Sequence, residues 1–461
     1  MDSENRIKEN KMGTMHLPSL LFSISIPIVI SMLVQALYNI VDSIYVAQFN
    51  NIEGTGALTI AFPVQNLMIA LAVGLAVGTN ALLSRSLGQK NFDKANLIAG
   101  QGFFLNFCGY LVFLVLGVFA TKAYVATQAG AEGLLFEYSV DYISIICICS
   151  VGVFIQVVCE RLLQATGKSM LSMLVQGSGA IINIILDPIM IFGWLGCPQM
   201  GVAGAAIATV IGQCVAAAIG IFLNVKFNKD IRLRLKNFIP QKDVLIEMLA
   251  IGIPSVFMQA VGSIMTFCMN IILISFSNEA LNVFGVYFKL QSFVFMPVFG
   301  LNNGIIPIIS YNYGAGYKDR VRHTVRLGII TATSYMLFGL LVFQIFPEVL
   351  LGFFNASENM LKIGDVALRI ISPSFLLAGV AVISSAVCQA LGKSVYSLVV
   401  SVARQLVVLI PAAFLLSLAG NLTLVWLAFP IAELISFVLS IFFLIRSIEK
   451  AFGKRHHHLP A

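Results

Sequence analysis

The sequence predicts an all-α polytopic membrane protein of twelve spanning helices, arranged as two parallel six-helix lobes. Three observations predict it: an extreme apolar composition, twelve apolar runs of spanning length, and an internal repeat that relates the first six runs to the last six.

Hydrophobic residues make up 59% of the 461-residue chain and charged residues 11%. A soluble domain carries roughly 25% charged residues. A soluble chain of this length would divide into two or three domains, and none could cover its surface with so few charges. Strands are excluded on the same ground, because an open sheet edge cannot be satisfied in lipid. The net charge is +7, but the basic residues sit in short loops between apolar runs, as they do in membrane proteins. There is no aromatic–basic interleaving of the kind that grips single strands, so no nucleic-acid partner is expected. The eight cysteines include no pair with zinc or redox spacing and read as small packing residues. His456, His457 and His458 read as a solvated tail or tag remnant.

A spanning helix needs about 20 mostly apolar residues. The runs that meet this are Leu17–Val46, Ala57–Ser84, Asn96–Thr121, Leu134–Arg161, Ser169–Gly193, Val202–Val225, Asp243–Phe276, Ala280–Tyr311, Arg322–Phe346, Leu361–Leu391, Ser394–Leu418 and Leu422–Arg446. The first is too long for a signal-peptide core and reads as a span. With the N-terminus placed inside, the inner loops and tails collect nearly all the Lys and Arg: Arg85, Lys90 and Lys94; Lys226 to Lys242; Lys318 to Arg326; Arg446 to Arg455. Outer loops hold only Lys122 and Lys362. The bias puts both termini in the cytoplasm of a cell (inner) membrane protein.

The repeat has several anchors. Gly74, Gly78, Gly88 and Asp93 match Gly300, Gly304, Gly314 and Asp319. Gln164-Ala165-Thr166-Gly167-Lys168-Ser169 matches Gln389-Ala390-Leu391-Gly392-Lys393-Ser394, and Ser25-Ile26-Pro27 matches Gly252-Ile253-Pro254. Phe62 and Gln65 match Phe288 and Gln291 more weakly, and the offsets stay between 225 and 227. A shift of six helices preserves orientation, so the halves are parallel repeats, and a substrate route between them at mid-membrane is expected. The expected division is an N-lobe over 1–223, a cytoplasmic linker over 224–242 and a C-lobe over 243–461.

Ionisable groups inside a membrane are expensive, so each is a functional candidate. Asp42 in the first span and Asp187 in the fifth both fall roughly 6–9 Å from one membrane face at 1.5 Å per residue. Thr209 in the sixth falls roughly 10 Å from the same face. Asn183 precedes Asp187 by four residues and shares its helix face. Pro188 removes a backbone donor and frees a carbonyl near Ile184. Two carboxylates in a low dielectric do not readily ionise together; one proton or monovalent cation between them relieves that. The repeat places Met269 and Ala412 at the counterpart positions, so the ion site is assigned to the first lobe alone.

In the second lobe, Glu433 is read either as a second proton carrier or as the structural partner of Arg404. Lys289 stays open between the same two kinds of role. Asp365 and Arg369 are expected to pair with each other. Gln35, Gln65, Gln259 and Gln291 could line a cleft or bond between helices. No Walker A motif, nucleophile motif or metal-binding cluster appears, so the chain is read as neither an enzyme nor the holder of a resident metal or cofactor.

These residues carry a family resemblance along the whole chain. Pro27 with Asn39-Ile40-Val41-Asp42-Ser43, Gly88-Gln89-Lys90, Gln164-Ala165-Thr166-Gly167, Asn183 to Asp187-Pro188, and Gly201-Val202-Ala203-Gly204-Ala205-Ala206 to Thr209 resemble the multidrug and toxic compound extrusion (MATE) transporters. The resemblance implies export of cationic or amphipathic drugs or metabolites in exchange for H⁺ or Na⁺. It implies Asp42 and Asp187 as ion carboxylates, Asn183 and Thr209 as their ligands, and Pro27 as the bend of the first helix. Gln35, Tyr38 and Asn39 stand beside them as substrate candidates. The chain departs from branches with second-lobe acids: Val256–Asn270 and Ser372–Ala390 contain none. It is read as a monomer in the lipid bilayer.

Three other readings compete. A lipid-linked oligosaccharide flippase of the same superfamily should show more cleft cations than Lys289 and Arg404. A major facilitator should carry a Gly-Asp-Arg-Gly-Arg-rich second loop, which is missing. A channel or receptor would not require a repeat with an acid pair in one half.

Overall fold

The computed structural model describes residues 10–49, 53–354 and 357–453. The terminal histidines 456–458, with Lys454 and Arg455, lie outside the described residues. Among those described, all regular structure is helical. Eleven helices are long and apolar enough to cross a bilayer, and a bent pair supplies a twelfth span. They are α1 (Leu17–Phe49), α2 (Glu53–Gly88), α3 (Phe92–Phe119), α4 (Leu134–Ile148 with Val151–Ala165), α5 (Ser169–Phe192), α6 (Gly201–Phe227), α7 (Lys242–Ile274), α8 (Asn278–Gly314), α9 (Lys318–Ile345), α10 (Glu358–Ala390), α11 (Ser394–Ser417) and α12 (Leu422–Phe452). Every expected span is present. Most run a few residues further than the apolar pattern, because helical hydrogen bonding continues until a cap or glycine stops it.

The repeat is visible in the details. Ser84 Oγ donates to the Ala165 carbonyl at 3.0 Å, and Ser310 Oγ donates to the Ala390 carbonyl at 3.0 Å. Gly167 and Gly392, which follow α4 and α10, both take positive φ (80° and 75°), as a helix stop of this kind requires. α4 bends by 47° between Ile148 and Val151, and α10 carries a 3₁₀ turn over Ser372–Ser374 at the equivalent place. Two segments read as loops are helical in both halves, Thr121–Ala129 and Pro347–Gly352. They are too short to register as spans.

The chain forms two compact units. One holds Pro27–Val256 with the segment ending at Lys11; the other holds Met12–Ile26 with the chain from Phe257 onward. The seams fall beside the repeat-related Pro27 and Pro254, so α1 and α7 each give their leading part to the opposite unit. Within the first unit the leading part of α7 lies against α2: a Cβ at Gly78 would sit 2.4 Å from the Met248 carbonyl oxygen. Within the second, the leading part of α1 lies against α8: a Cβ at Gly304 would sit 2.4 Å from Ser25 Oγ and 3.2 Å from its Cα. Small residues permit such backbone approach between helices in lipid. The segment before α7 is pinned to α3, where Gln101 Nε2 donates to the carbonyls of Asn237 (2.8 Å) and Ile239 (2.7 Å).

Candidate functional site

The site is assembled in the first unit by the close approach of α5 and α6. A Cβ at Gly204 would lie 2.5 Å from the Met190 carbonyl oxygen, and one at Gly212 would lie 2.8 Å from that of Gly179. These contacts bring the polar residue of each helix face to face. Asn183 Nδ2 donates to Asp187 Oδ1 at 3.2 Å and reaches Thr209 Oγ1 at 3.3 Å. α5 runs on through Pro188, which deprives the Ile184 carbonyl of its helical donor.

Asp187 is completely buried, and Asn183, Thr209 and Asp42 nearly so. The Asp42 carboxylate on α1 is within electrostatic reach of Asp187. Asp42 Oδ1, Asn183 Oδ1 and Asp187 Oδ2 are buried oxygens that accept no hydrogen bond among the described residues. Each such oxygen costs about 1–3 kcal/mol when left unpartnered. All three are acceptors, so the cluster is complementary to something that donates: a proton or a small cation. An apolar shell of Val46, Ala57, Met68, Phe113, Phe154, Ile191 and Val202 packs beside it.

Tyrosines extend the cluster. Tyr38 is within electrostatic reach of Asp42. Tyr142 is buried, accepts from Gln65 Nε2 at 3.3 Å and also feels Asp42. Sequence reasoning passed over Tyr142, since a tyrosine in an apolar run usually fills space. It also passed over Glu160. Glu160 accepts from Gln156 Nε2 at 2.9 Å, and the same nitrogen reaches Gln176 Oε1 at 2.9 Å. The available signal was a carboxylate at the end of the expected Leu134–Arg161 run with more apolar residues, Leu162 and Leu163, directly after it.

The remaining candidates are dispersed. Pro27 is buried in an unbroken α1, and its carbonyl accepts from Ser31 Oγ at 2.8 Å. Asn39 is exposed. In the second unit Arg404 pairs with Glu433, NH1 to Oε2, at 3.1 Å. Asp365 and Arg369 pair at 2.9 Å, as their spacing requires. Lys289 is exposed, with Nζ 5.7 Å from the centre of the Phe354 ring. Gln259 is exposed and Gln291 half-buried; among the described residues neither they nor Lys289 form a hydrogen bond or ion pair with the acid cluster or with the Arg404–Glu433 pair.

Comparison with known proteins then settles the family. The MatE family model matches the chain twice, over residues 27–189 and 254–415, the two matches starting 227 residues apart. The chain belongs to the MatE family. The family consists of transporters, so this MATE chain is a multi-pass membrane transporter and not an enzyme. It is 26% identical over 418 residues to the multidrug export protein MepA of Staphylococcus haemolyticus, covering 91% of each chain. Among solved structures it is similar to the MATE multidrug transporter DinF-BH in complex with R6G, at 31% identity and a TM-score of 0.87, covering 97% of this chain and 100% of that one. An outward-facing multidrug resistance MATE transporter of the MOP superfamily shares the fold, with 24% identity, a TM-score of 0.89 and coverage of 97% and 99%. The double match recovers the internal repeat, and the two-lobe fold is that of these structures.

Proposed function

We propose that this MATE chain is a secondary exporter of cationic or amphipathic small molecules, exchanging them for H⁺ or Na⁺ by alternating access. Asp42 and Asp187 hold the coupling ion, with Asn183 and Thr209 as its remaining ligands. The observation that carries the reading is the group of three unpartnered acceptor oxygens on Asp42, Asn183 and Asp187, buried inside spanning helices. Acceptors without donors at that depth suit a cation that comes and goes. The site belongs to the N-lobe (1–223); the linker (224–242) and C-lobe (243–461) carry no equivalent acid pair. The export reading also draws on the relatives, MepA and DinF-BH, whose names give multidrug export or transport.

The test of substrate class is expression in a drug-sensitive bacterial host. Tolerance to cationic dyes and quaternary-ammonium biocides is expected to rise several-fold, since acids and aromatics without a strongly basic cleft favour cations. Transport of anionic lipid-linked sugars alone would favour the flippase reading. Loss of tolerance when the ion gradient is collapsed separates exchange from passive conduction.

The proposed orientation puts both termini and the linker in the cytoplasm of the cell membrane. In a cysteine-free background, a membrane-impermeant thiol reagent applied to intact cells is expected to label Ala131→Cys and to miss Lys236→Cys. Both positions are exposed. Labelling in the opposite pattern would invert the topology.

A further inference from the structure

We infer that Arg404, anchored by Glu433 in the second unit, is a docking point for the carboxylate of an amphipathic aromatic substrate. The inference rests on the reading of the chain as a transporter of such molecules, and extends it from cations to zwitterions.

Position is the first argument. Arg404 lies ten residues after the start of α11 and thirteen before its end, roughly 15 and 20 Å at 1.5 Å per residue. An arginine side chain cannot snorkel that far to either membrane face. Its side chain is nonetheless 32% exposed. A charged side chain at that depth faces the bundle interior or a water-filled cavity rather than hydrocarbon.

The second argument is the asymmetry of the pair. Glu433 is buried, whereas Arg404 is not. An ion pair that only tied α11 to α12 would hide both partners. Glu433 takes one contact, through NH1 at 3.1 Å, and a guanidinium has five N–H donors in a rigid fork. The donors that Glu433 does not use belong to a fork whose geometry grips carboxylates two bonds at a time. Glu433 also keeps one buried oxygen, Oε1, that accepts no hydrogen bond among the described residues. Glu433 is thus incompletely satisfied, and Arg404 has donors beyond the one that Glu433 takes.

The backbone supplies the third. Residues Ala403–Leu409 of α11 form a π-helical stretch, a departure that concentrates at functional sites because it re-aims side chains. It begins one residue before Arg404. Aromatic rings lie alongside: Phe429, one turn before Glu433, packs on Phe284 (6.0 Å between centroids) and Tyr287 (5.8 Å), and Phe284 packs on Phe288 (4.9 Å). Tyr287 is within electrostatic reach of both Arg404 and Glu433. Phe288 and Phe429 are half-buried and offer ring surface beside the charge. A flat aromatic body carrying a carboxylate matches this set.

The test uses two dyes that differ in one group. Rhodamine 110 has a free carboxylate, and rhodamine 123 is its methyl ester. Binding of each to the purified full-length protein in lipid nanodiscs is followed by fluorescence anisotropy, with no ion gradient. Arg404→Gln is expected to weaken rhodamine 110 at least about tenfold, the worth of a charge-assisted fork, and rhodamine 123 less than about threefold. Arg404→Lys should keep part of the discrimination. If Arg404→Gln fails to fold because Glu433 is left unpaired, the double variant Arg404→Gln, Glu433→Gln carries the same comparison. Equal loss for both dyes, or no loss for either, would overturn the inference. So would wild-type protein that binds the ester alone. Because binding is read without a gradient, discrimination that persists in a protein unable to export would refute the exporter reading and leave this one standing.

Discussion

Vesicles carrying Asp42→Asn are expected to lose gradient-driven export of a cationic dye, falling by more than about tenfold, or 1.4 kcal/mol of coupling, to the level of passive leak. The reason is thermodynamic. An ion gradient does work only if the ion and the drug favour opposite states of the protein. An amide at position 42 offers no charge for a proton or Na⁺ to neutralise, so the ion loses its preference for either state. Folding should survive, because an amide is cheaper in lipid than a carboxylate. Asp187→Asn should behave alike. Its amide oxygen can still accept from Asn183 Nδ2, now 3.2 Å from Oδ1, so the link between Asn183 and residue 187 is kept while the charge is lost. Glu433→Gln should weaken export less, since Glu433 is already neutralised by Arg404. The measurement is dye efflux under one fixed gradient, with protein amount normalised. Full coupled export by the double variant Asp42→Asn, Asp187→Asn would end the proposal and turn attention to Glu433.

The second large effect concerns packing. Gly78→Ala is expected to destabilise the protein by about 1–3 kcal/mol, the usual cost of overpacking, and to depress transport with it. The added methyl would lie 2.4 Å from the Met248 carbonyl oxygen, and a backbone carbonyl inside a helix cannot turn aside. Gly304→Ala meets mainly a serine hydroxyl, at 2.4 Å, which can rotate, so its cost should be smaller. Gly177→Ala meets nothing within 4 Å and should be neutral or slightly favourable by helix propensity. Thermal unfolding midpoints in detergent should therefore fall in the order Gly177→Ala, Gly304→Ala, Gly78→Ala. A Gly78→Ala protein as stable as Gly177→Ala would show that the α2–α7 approach is looser than described.

Much of this was legible in the residues. Spans follow from length and hydropathy, because a bilayer demands about 20 apolar residues and leaves a helix no alternative. The repeat was legible because loop glycines keep their spacing, and Gly167 and Gly392 keep their positive φ as well. Asp187 and Asn183 were brought together by helical periodicity alone. What periodicity could not supply was lateral approach. That Asn183 meets Thr209 depends on Gly204 and Gly212 letting α6 close on α5, and a glycine in an apolar run looks the same whether or not another backbone lies against it. The π-helical stretch at Arg404 and the bend in α4 were hidden for a related reason. Neither carries a proline or glycine at the break itself, since the bend falls on Cys149 and Ser150. The exchange of the leading parts of α1 and α7 between units has no local signal beyond Pro27 and Pro254.

The acid pair occurs in one half only, with Met269 and Ala412 at the counterpart positions, so on the proposed mechanism, with one ion shared between Asp42 and Asp187, each cycle would carry one ion. Glu433 adds none while Arg404 balances it. That stoichiometry would set the electrical character of the proposed exchange. One monovalent ion inward for one monocationic drug outward moves no net charge, so membrane voltage neither drives nor opposes the cycle, and only the ion's concentration difference does. A zwitterion held through Arg404 would leave as a neutral molecule, and the same cycle would then carry one positive charge inward and draw on the voltage too. The two kinds of cargo would thus be expelled with different force by the same machine in the same cell.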